Sequence, residues 1–330
     1  MSRISRLQQK FEQLYIDGFL VTDQKNIYYL TGFNLLQGDG CLLVTPQNAI
    51  IITDERYQLA LEEFESDEVV ATISRDYYGS VNKICEGLNL TVLGYEDTIS
   101  YHLFDAFDEL MTSDIVPFHH LIEKMRLVKD STEINKLRAA AELQSAGYDY
   151  FLSIVHPGIT ERELAIKLDY WMKMQGASGP SFPTIVASGA NSAKPHATAS
   201  SKPIADGDVV TLDFGYYLDG YTADMTRTFA VGSIDPELRD IYKIVNEARQ
   251  LVIDHAKVGI RGNELDAYGR ALIEEAGYGD EFNHGMGHGI GLAVHELPAP
   301  YAPGTKRVKR KNNEGITGAP GIYIPEIGGV

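Results

Sequence analysis

The residues with the clearest capacity for chemistry lie in His284-Gly285-Met286-Gly287-His288-Gly289-Ile290-Gly291-Leu292-Ala293-Val294-His295-Glu296. Three of the nine histidines of the chain fall here, interleaved with glycines. Neutral imidazole is a common ligand of catalytic transition metals, and glycine lets a backbone come closer to a ligand than a side chain would allow. By itself the pattern fits either a metal or oxyanion site or a glycine-rich turn.

A second segment lies upstream. Val209–Tyr217 and Tyr221–Ala230 are rich in β-branched and aromatic residues, and Leu218-Asp219-Gly220 joins them. Asp-Gly between two such runs is a strong hairpin signal. A turn centred on Asp219-Gly220 pairs Leu218 with Tyr221, Gly215 with Asp224 and Asp213 with Thr226. Residues two apart share a face of a strand. Asp213 and Asp224 are then diagonal neighbours on one face, roughly 7–8 Å apart at the backbone, and Gly215 opposite Asp224 leaves room between their carboxylates.

Two converging carboxylates on an apolar strand pair repel one another and lose hydration, and a divalent cation reverses that balance. The bland alternative is a surface hairpin with both acids in water. It fits less well, because Val209–Tyr217 reads as nearly continuous apolar strand rather than strict alternation.

With these residues assembled, a resemblance emerges. Leu212-Asp213-Phe214-Gly215, Ala223-Asp224-Met225-Thr226-Arg227, Gly287-His288-Gly289-Ile290-Gly291 and Val294-His295-Glu296 resemble, in order, the motifs of the pita-bread metallopeptidases, and within them the Xaa-Pro aminopeptidases (aminopeptidase P) and prolidases. Ser188-Gly189-Ala190-Asn191-Ser192-Ala193-Lys194-Pro195-His196 is similar to the family's substrate-side histidine loop. Asn26–Phe33 and Thr53–Tyr57 resemble its creatinase-like N-terminal domain.

The resemblance implies a dinuclear site, usually of manganese, cobalt or zinc, held by two aspartates, one histidine and two glutamates. Carried over motif by motif, Asp213, Asp224 and His288 take the first three places, with Asp224 bridging. It further implies that His196 and His295 stand beside the metals as catalytic groups that contact the substrate, while His284 gives support. The implied reaction is release of the N-terminal residue from Xaa-Pro peptides. Ile27–Phe33 and Ser181–Val186 look more like aminopeptidase P than prolidase, which is kept as the alternative. Methionine aminopeptidase lacks such a first domain, and creatinase works without a metal.

The sequence also departs from the family. Where the family reads Glu-Pro-Gly ahead of a Tyr-bearing strand, this chain has Ala319-Pro320-Gly321-Ile322-Tyr323. The second glutamate would follow Gly328-Gly329-Val330, so the catalytic domain reads as truncated at its C-terminus. Glu314 and Glu326 are nearby acids but fall at neither family position. The expectation is one ion or none, and little turnover. A catalytically dead peptide-binding or dimerisation homologue is the competing class.

The elements that must position these residues follow from pattern and composition. A hydrophobic content of 44% with 23% charged residues is ordinary for a soluble globular protein, and the length favours two domains. We place them at 1–124, an α/β creatinase-like domain, and 125–330, an α+β pita-bread domain whose curved antiparallel sheet carries helices on one side. In the first, apolar residues at helical spacing from Ile4 to Tyr15 predict an opening helix. Strands are expected at 18–21, 41–44, 49–52, 69–73 and 91–94, with helices beginning near Glu55, Ser80 and Ser100. In the second, Ser131 is a candidate N-cap, and helices are expected near 160–175, 236–256 and from Asn263.

A net charge of −17 argues against nucleic acid and anionic membranes as partners. The basic run Thr305–Asn313 reads as a solvated loop. No apolar run approaches the ~20 residues of a membrane span. Cys41 and Cys85 offer no disulfide framework, so the cytoplasm is the expected compartment. Proline-containing peptides and, as is common in the family, a second copy of the chain are the expected partners.

Overall fold

The chain divides into two units, Met1–Arg126 and Leu127–Val330. The computed structural model describes residues 1–301, 312–325 and 327–330. Most of the basic run 305–313, together with Glu326, lies outside the described residues.

The first unit is built on one mixed six-stranded sheet of β1 (Gly18–Val21), β2 (Gly40–Val44), β3 (Ala49–Thr53), β4 (Val69–Ile73), β5 (Val92–Glu96) and β6 (Asp114–Phe118), in the order β4-β3-β2-β1-β5-β6. The hairpin run β1–β2–β3 is antiparallel, whereas β3–β4, β1–β5 and β5–β6 are parallel. Leu42, Leu43, Ile51 and Ile52 are buried at the centre. A strand covered on both faces needs such an uninterrupted apolar run. Strand β6 escapes the sequence reading because Pro117 interrupts Asp114–Phe118. It lies at the sheet edge, where a missing N–H is tolerated.

The expected opening helix is split into Arg3–Gln8 and Phe11–Leu14. Tyr15 ends it in the left-handed region (φ 56°) and is exposed rather than packed. Helices Tyr77–Leu88 and Tyr101–Leu110 are capped by Asp76 and Ser100, whose side chains accept from Gly79 N–H and Leu103 N–H.

The second unit combines long helices with small antiparallel sheets. Its helices are Ser131–Ile154, Glu161–Met174, Pro236–His255 and Gly262–Glu275. Asp130, rather than Ser131, is the first N-cap. It accepts from Glu133 N–H while Glu133 accepts from Asp130 N–H, a reciprocal arrangement that a Ser at the first helical position cannot make. The strands are β7 (Gly179–Pro180), β8 (Ile185–Ser188), β9 (Val209–Phe214), β10 (Tyr216–Leu218), β11 (Tyr221–Thr222), β12 (Met225–Ala230), β13 (Gly287–Gly289), β14 (Glu296–Tyr301), β15 (Tyr323–Ile324) and β16 (Gly328–Gly329). They pair as β11-β10-β7, β12-β9-β8, β13-β14 and β15-β16.

Strand β9 alternates more strictly than its composition suggests. Val210, Leu212 and Phe214 are fully buried in a core with Phe151, Leu164, Leu168 and Met172 of the first two helices. Thr211 and Asp213 are only partly buried and fall on the other face. The apolar layer therefore holds the strand by one side and leaves its polar side for the site. A separate core joins Ile241, Val245 and Ala248 of Pro236–His255 to Leu265, Phe282, Met286 and Ile322, behind the segment that carries His288.

Candidate active site

The hairpin that carries both aspartates has the register read from its turn. Leu218 pairs with Tyr221, Tyr217 with Thr222, Phe214 with Met225 and Asp213 with Thr226. Asp219 and Gly220 both have positive φ, 49° and 81°, as a two-residue turn matched to strand twist requires. The ladder is interrupted where Gly215 faces Ala223 and Asp224, yet the register is the same on both sides. Gly215 does not serve as open space between carboxylates: a Cβ there would collide with Ser181 Oγ, the Phe182 ring and the Ala223 carbonyl. The glycine is needed because these groups press against the strand break.

Asp213 and Thr226, directly opposite, share a hydrogen bond of 2.9 Å from Thr226 Oγ1 to Asp213 Oδ1. Burial first, and the Asp224 charge second, push the Asp213 carboxyl up to about 7, against the opposing effects of Thr226 and His288.

His288 comes from strand β13, held on two sides. Gly287 and Gly289 pair with Tyr301 and Glu296, while His288 N–H donates to Thr317 Oγ1 and the His288 carbonyl accepts from Thr317 N–H. At Gly289 any Cβ would strike the Glu296 and Leu297 backbone, so here glycine permits two strands to approach closely. The ring is oriented at both nitrogens: Nδ1 lies 3.0 Å from the Gly289 carbonyl and Nε2 3.2 Å from Asp224 Oδ2. Burial disfavours the imidazolium, but Asp224 and the Gly289 and Val294 backbone outweigh it and raise the basicity of His288.

His295 packs edge-on against His288, with ring centroids 4.3 Å apart. Burial, then the His288 charge, lowers its basicity. His284 Nδ1–H donates to the Gly285 carbonyl (2.9 Å), its Nε2 lies 3.1 Å from Tyr323 Oη, and burial lowers its basicity too. His196 is exposed, and its charge contributes to the lowering at both His284 and His295. The structure thus brings Asp213, Asp224, His288 and His295 together and places His196 and His284 within electrostatic reach.

Several contributors carry no local sequence signal. Lys129 Nζ and Glu296 Oε1 form a 2.9 Å ion pair with both side chains nearly fully buried, anchoring the residue after His295. Tyr323 Oη and Thr317 Oγ1 reach histidines from distant segments. Thr226 alone was legible, through the hairpin register.

Among the described residues, no group of three His, Cys, Asp or Glu side chains is arranged to hold a metal ion. Asp213 bonds to Thr226, and Asp224 to His288. The donor set nevertheless suits a divalent cation in kind, since two carboxylates and an imidazole nitrogen are ligands for manganese, cobalt or zinc. The partly buried like-charged pair that holds a proton on Asp213 to about pH 7 is what a cation would relieve.

Residues 135–330 match the model of metallopeptidase family M24, and residues 3–128 match the creatinase/prolidase N-terminal domain. The chain belongs to metallopeptidase family M24. It is therefore a hydrolase with the pita-bread fold in its second unit, and membership implies dependence on a divalent metal. An Xaa-Pro dipeptidase of Pyrococcus horikoshii is 36% identical over 330 residues, covering 99% of this chain and 92% of the relative. Among solved structures, an Xaa-Pro dipeptidase from Bacillus anthracis matches with TM-score 0.92 and 40% identity over 99% of this chain and 91% of that one. An X-Pro aminopeptidase from Thermotoga maritima matches with TM-score 0.88 and 33% identity over 97% and 92%.

Proposed function

We propose that this M24 protein is an exopeptidase acting on the bond between an N-terminal residue and a following proline. Asp213, Asp224 and His288 would hold its metal, manganese in first place and cobalt or zinc as substitutes. The observation that carries the reading is the contact of His288 Nε2 with Asp224 Oδ2 on the face that also presents Asp213. A bound cation supplies a hydroxide nucleophile at neutral pH and polarises the scissile carbonyl.

The residues of the chain supply the rest. The Nδ1–H of His288 is held by the Gly289 carbonyl, which leaves Nε2 as the ligating atom. His295, its basicity lowered, presents a neutral ring that donates a hydrogen bond to the oxygen gaining negative charge. His196, exposed on its loop and within electrostatic reach of His284 and His295, would contact the peptide.

Dipeptides are the first substrate class, on the strength of relatives named Xaa-Pro dipeptidase. Longer Xaa-Pro peptides are the second reading, favoured by the resemblance of Ile27–Phe33 and Ser181–Val186 to aminopeptidase P. Cytoplasmic residence agrees with two buried free thiols, Cys41 and Cys85.

Ala319 sets the expected activity. Its N–H donates to the Met286 carbonyl at 2.7 Å, which sets it beside the His288 strand, and the motif resemblance aligns its methyl group with a carboxylate of the family. The test compares the parent with Ala319→Glu in manganese titration and in hydrolysis of Xaa-Pro dipeptides and Xaa-Pro-Xaa tripeptides. The parent should turn over slowly, and the variant should bind manganese more tightly and hydrolyse at least about tenfold faster. Absence of manganese binding in both proteins would remove the metal assignment.

A further inference from the structure

Among the described residues outside the site, the buried carboxylate of Glu161 is met by three residues. It is the first residue of helix Glu161–Met174 and is fully buried. Its Oε1 accepts from Ser188 N–H and Ser188 Oγ, both at 2.8 Å, and its Oε2 accepts from Ser200 N–H at 3.0 Å and Ser200 Oγ at 2.6 Å. Asn191 Nδ2 reaches the two oxygens at 3.2 and 3.3 Å. Burial alone would raise this carboxyl, but the serine hydrogen bonds outweigh it and hold it below its ordinary range, so it stays ionised.

Ser188 and Ser200 bracket the loop that carries His196. One carboxylate therefore fastens both ends of that loop. Two further contacts tighten the same points: Glu161 N–H and Arg162 N–H donate to the Lys202 and Ser200 carbonyls at 3.1 and 2.9 Å, and Lys202 Nζ donates to Ser188 Oγ at 2.8 Å and Asp208 Oδ2 at 2.7 Å. Gly329 N–H donates to Ser192 Oγ at 2.8 Å from the opposite side. A loop closed at its base by charge-assisted bonds retains fewer conformations at its tip.

We propose that Glu161 is the positioning residue for His196: it sets where the exposed imidazole stands without touching substrate. This rests on the reading of His196 as a substrate-side group. An amide at position 161 would keep the volume but turn one acceptor oxygen into a donor facing donors.

The test compares full-length parent, Glu161→Gln and Glu163→Ala. Glu163 belongs to the capping box of the same helix start and makes no bond to the loop, so its loss reports a purely structural weakening. Three readouts are taken: amide exchange at Ser188 and Ser200, the His196 ring resonance by NMR, and affinity for Gly-Pro with manganese present. In Glu161→Gln, exchange should accelerate by about tenfold or more, the His196 resonance should shift and broaden, and Gly-Pro affinity should fall, while Glu163→Ala lowers the melting temperature alone. An unmoved His196 resonance in Glu161→Gln, or the same movement in Glu163→Ala, overturns the proposal. His196→Ala separates the two readings: if it leaves Gly-Pro affinity intact, the substrate role of His196 fails while the resonance still decides what Glu161 does.

Discussion

His288 Nε2 lies 3.2 Å from Asp224 Oδ2, and the two side chains come from segments that only the tertiary fold brings together. The contact places an imidazole of raised basicity beside one of two carboxylates that otherwise repel each other. Asp224→Asn removes both the partner of His288 and the charge that, after burial, raises the Asp213 carboxyl. The Asp213 titration should move down from about 7 and that of His288 should also fall, followed by carboxyl and imidazole NMR across pH. Manganese affinity should drop beyond detection in a calorimetric titration. Unchanged Asp213 titration in this variant would mean that the two acids do not sense each other.

Gly215→Ala tests the strand break between the aspartates. Its Cβ would meet Phe182 and the Ala223 carbonyl, and backbone cannot step aside cheaply. The expected loss is about 1–3 kcal/mol of stability, read by urea denaturation, together with weaker manganese binding as Asp224 is displaced. A variant as stable as the parent would show that the break has slack.

Lys129→Met removes one half of a buried ion pair and takes the cation away from the buried Glu296 carboxylate, which keeps the Ala293 N–H donor. Breaking such a pair costs on the order of 3–5 kcal/mol, and the residue after His295 loses its anchor. Thermal unfolding should show the loss. A double variant, Lys129→Met with Glu296→Leu, should recover part of it, because no buried carboxylate is then left without its cation. Equal stability of single and double variants would contradict the assignment.

Glu96 makes the first unit sensitive to pH. Burial pushes its carboxyl up to about 7, opposed by hydrogen bonds from Asp23 N–H, Thr22 N–H and Asn26. A carboxyl whose pKa is raised on folding contributes stability that is complete below its unfolded value and is lost as pH rises through the folded one. The parent should therefore lose up to about 3 kcal/mol of stability between pH 4.5 and pH 7 from this group. Glu96→Gln should flatten that slope in urea titrations at several pH values, and an unchanged slope would refute the assignment to Glu96.

The hairpin was the most legible part of the site. Its register follows from two residues, because Asp219-Gly220 supports a turn with positive φ at both positions, and period-two alternation then fixes which side chains face each other. Helices at Ser131–Ile154 and Pro236–His255 were legible for a similar reason: caps and apolar spacing act within a few residues. Strand β6 was not, because a proline that argues against a strand in general is tolerated at an edge, and edges are a property of the whole sheet. The use of Gly215 was misread because the groups that require it, Ser181 and Phe182, arrive from another strand connection.

The amino-acid order alone determined the two-aspartate face, the glycine-laced histidine segment and the M24 resemblance, since each depends on short-range geometry or on motif order. Only the tertiary structure decided that His288 turns Nε2 to Asp224, that Lys129 anchors Glu296 and that Glu161 closes the His196 loop. Those contacts join residues far apart along the chain. Their partners are selected by packing and by the cost of leaving a buried charge unsatisfied, and neither leaves a periodicity to read.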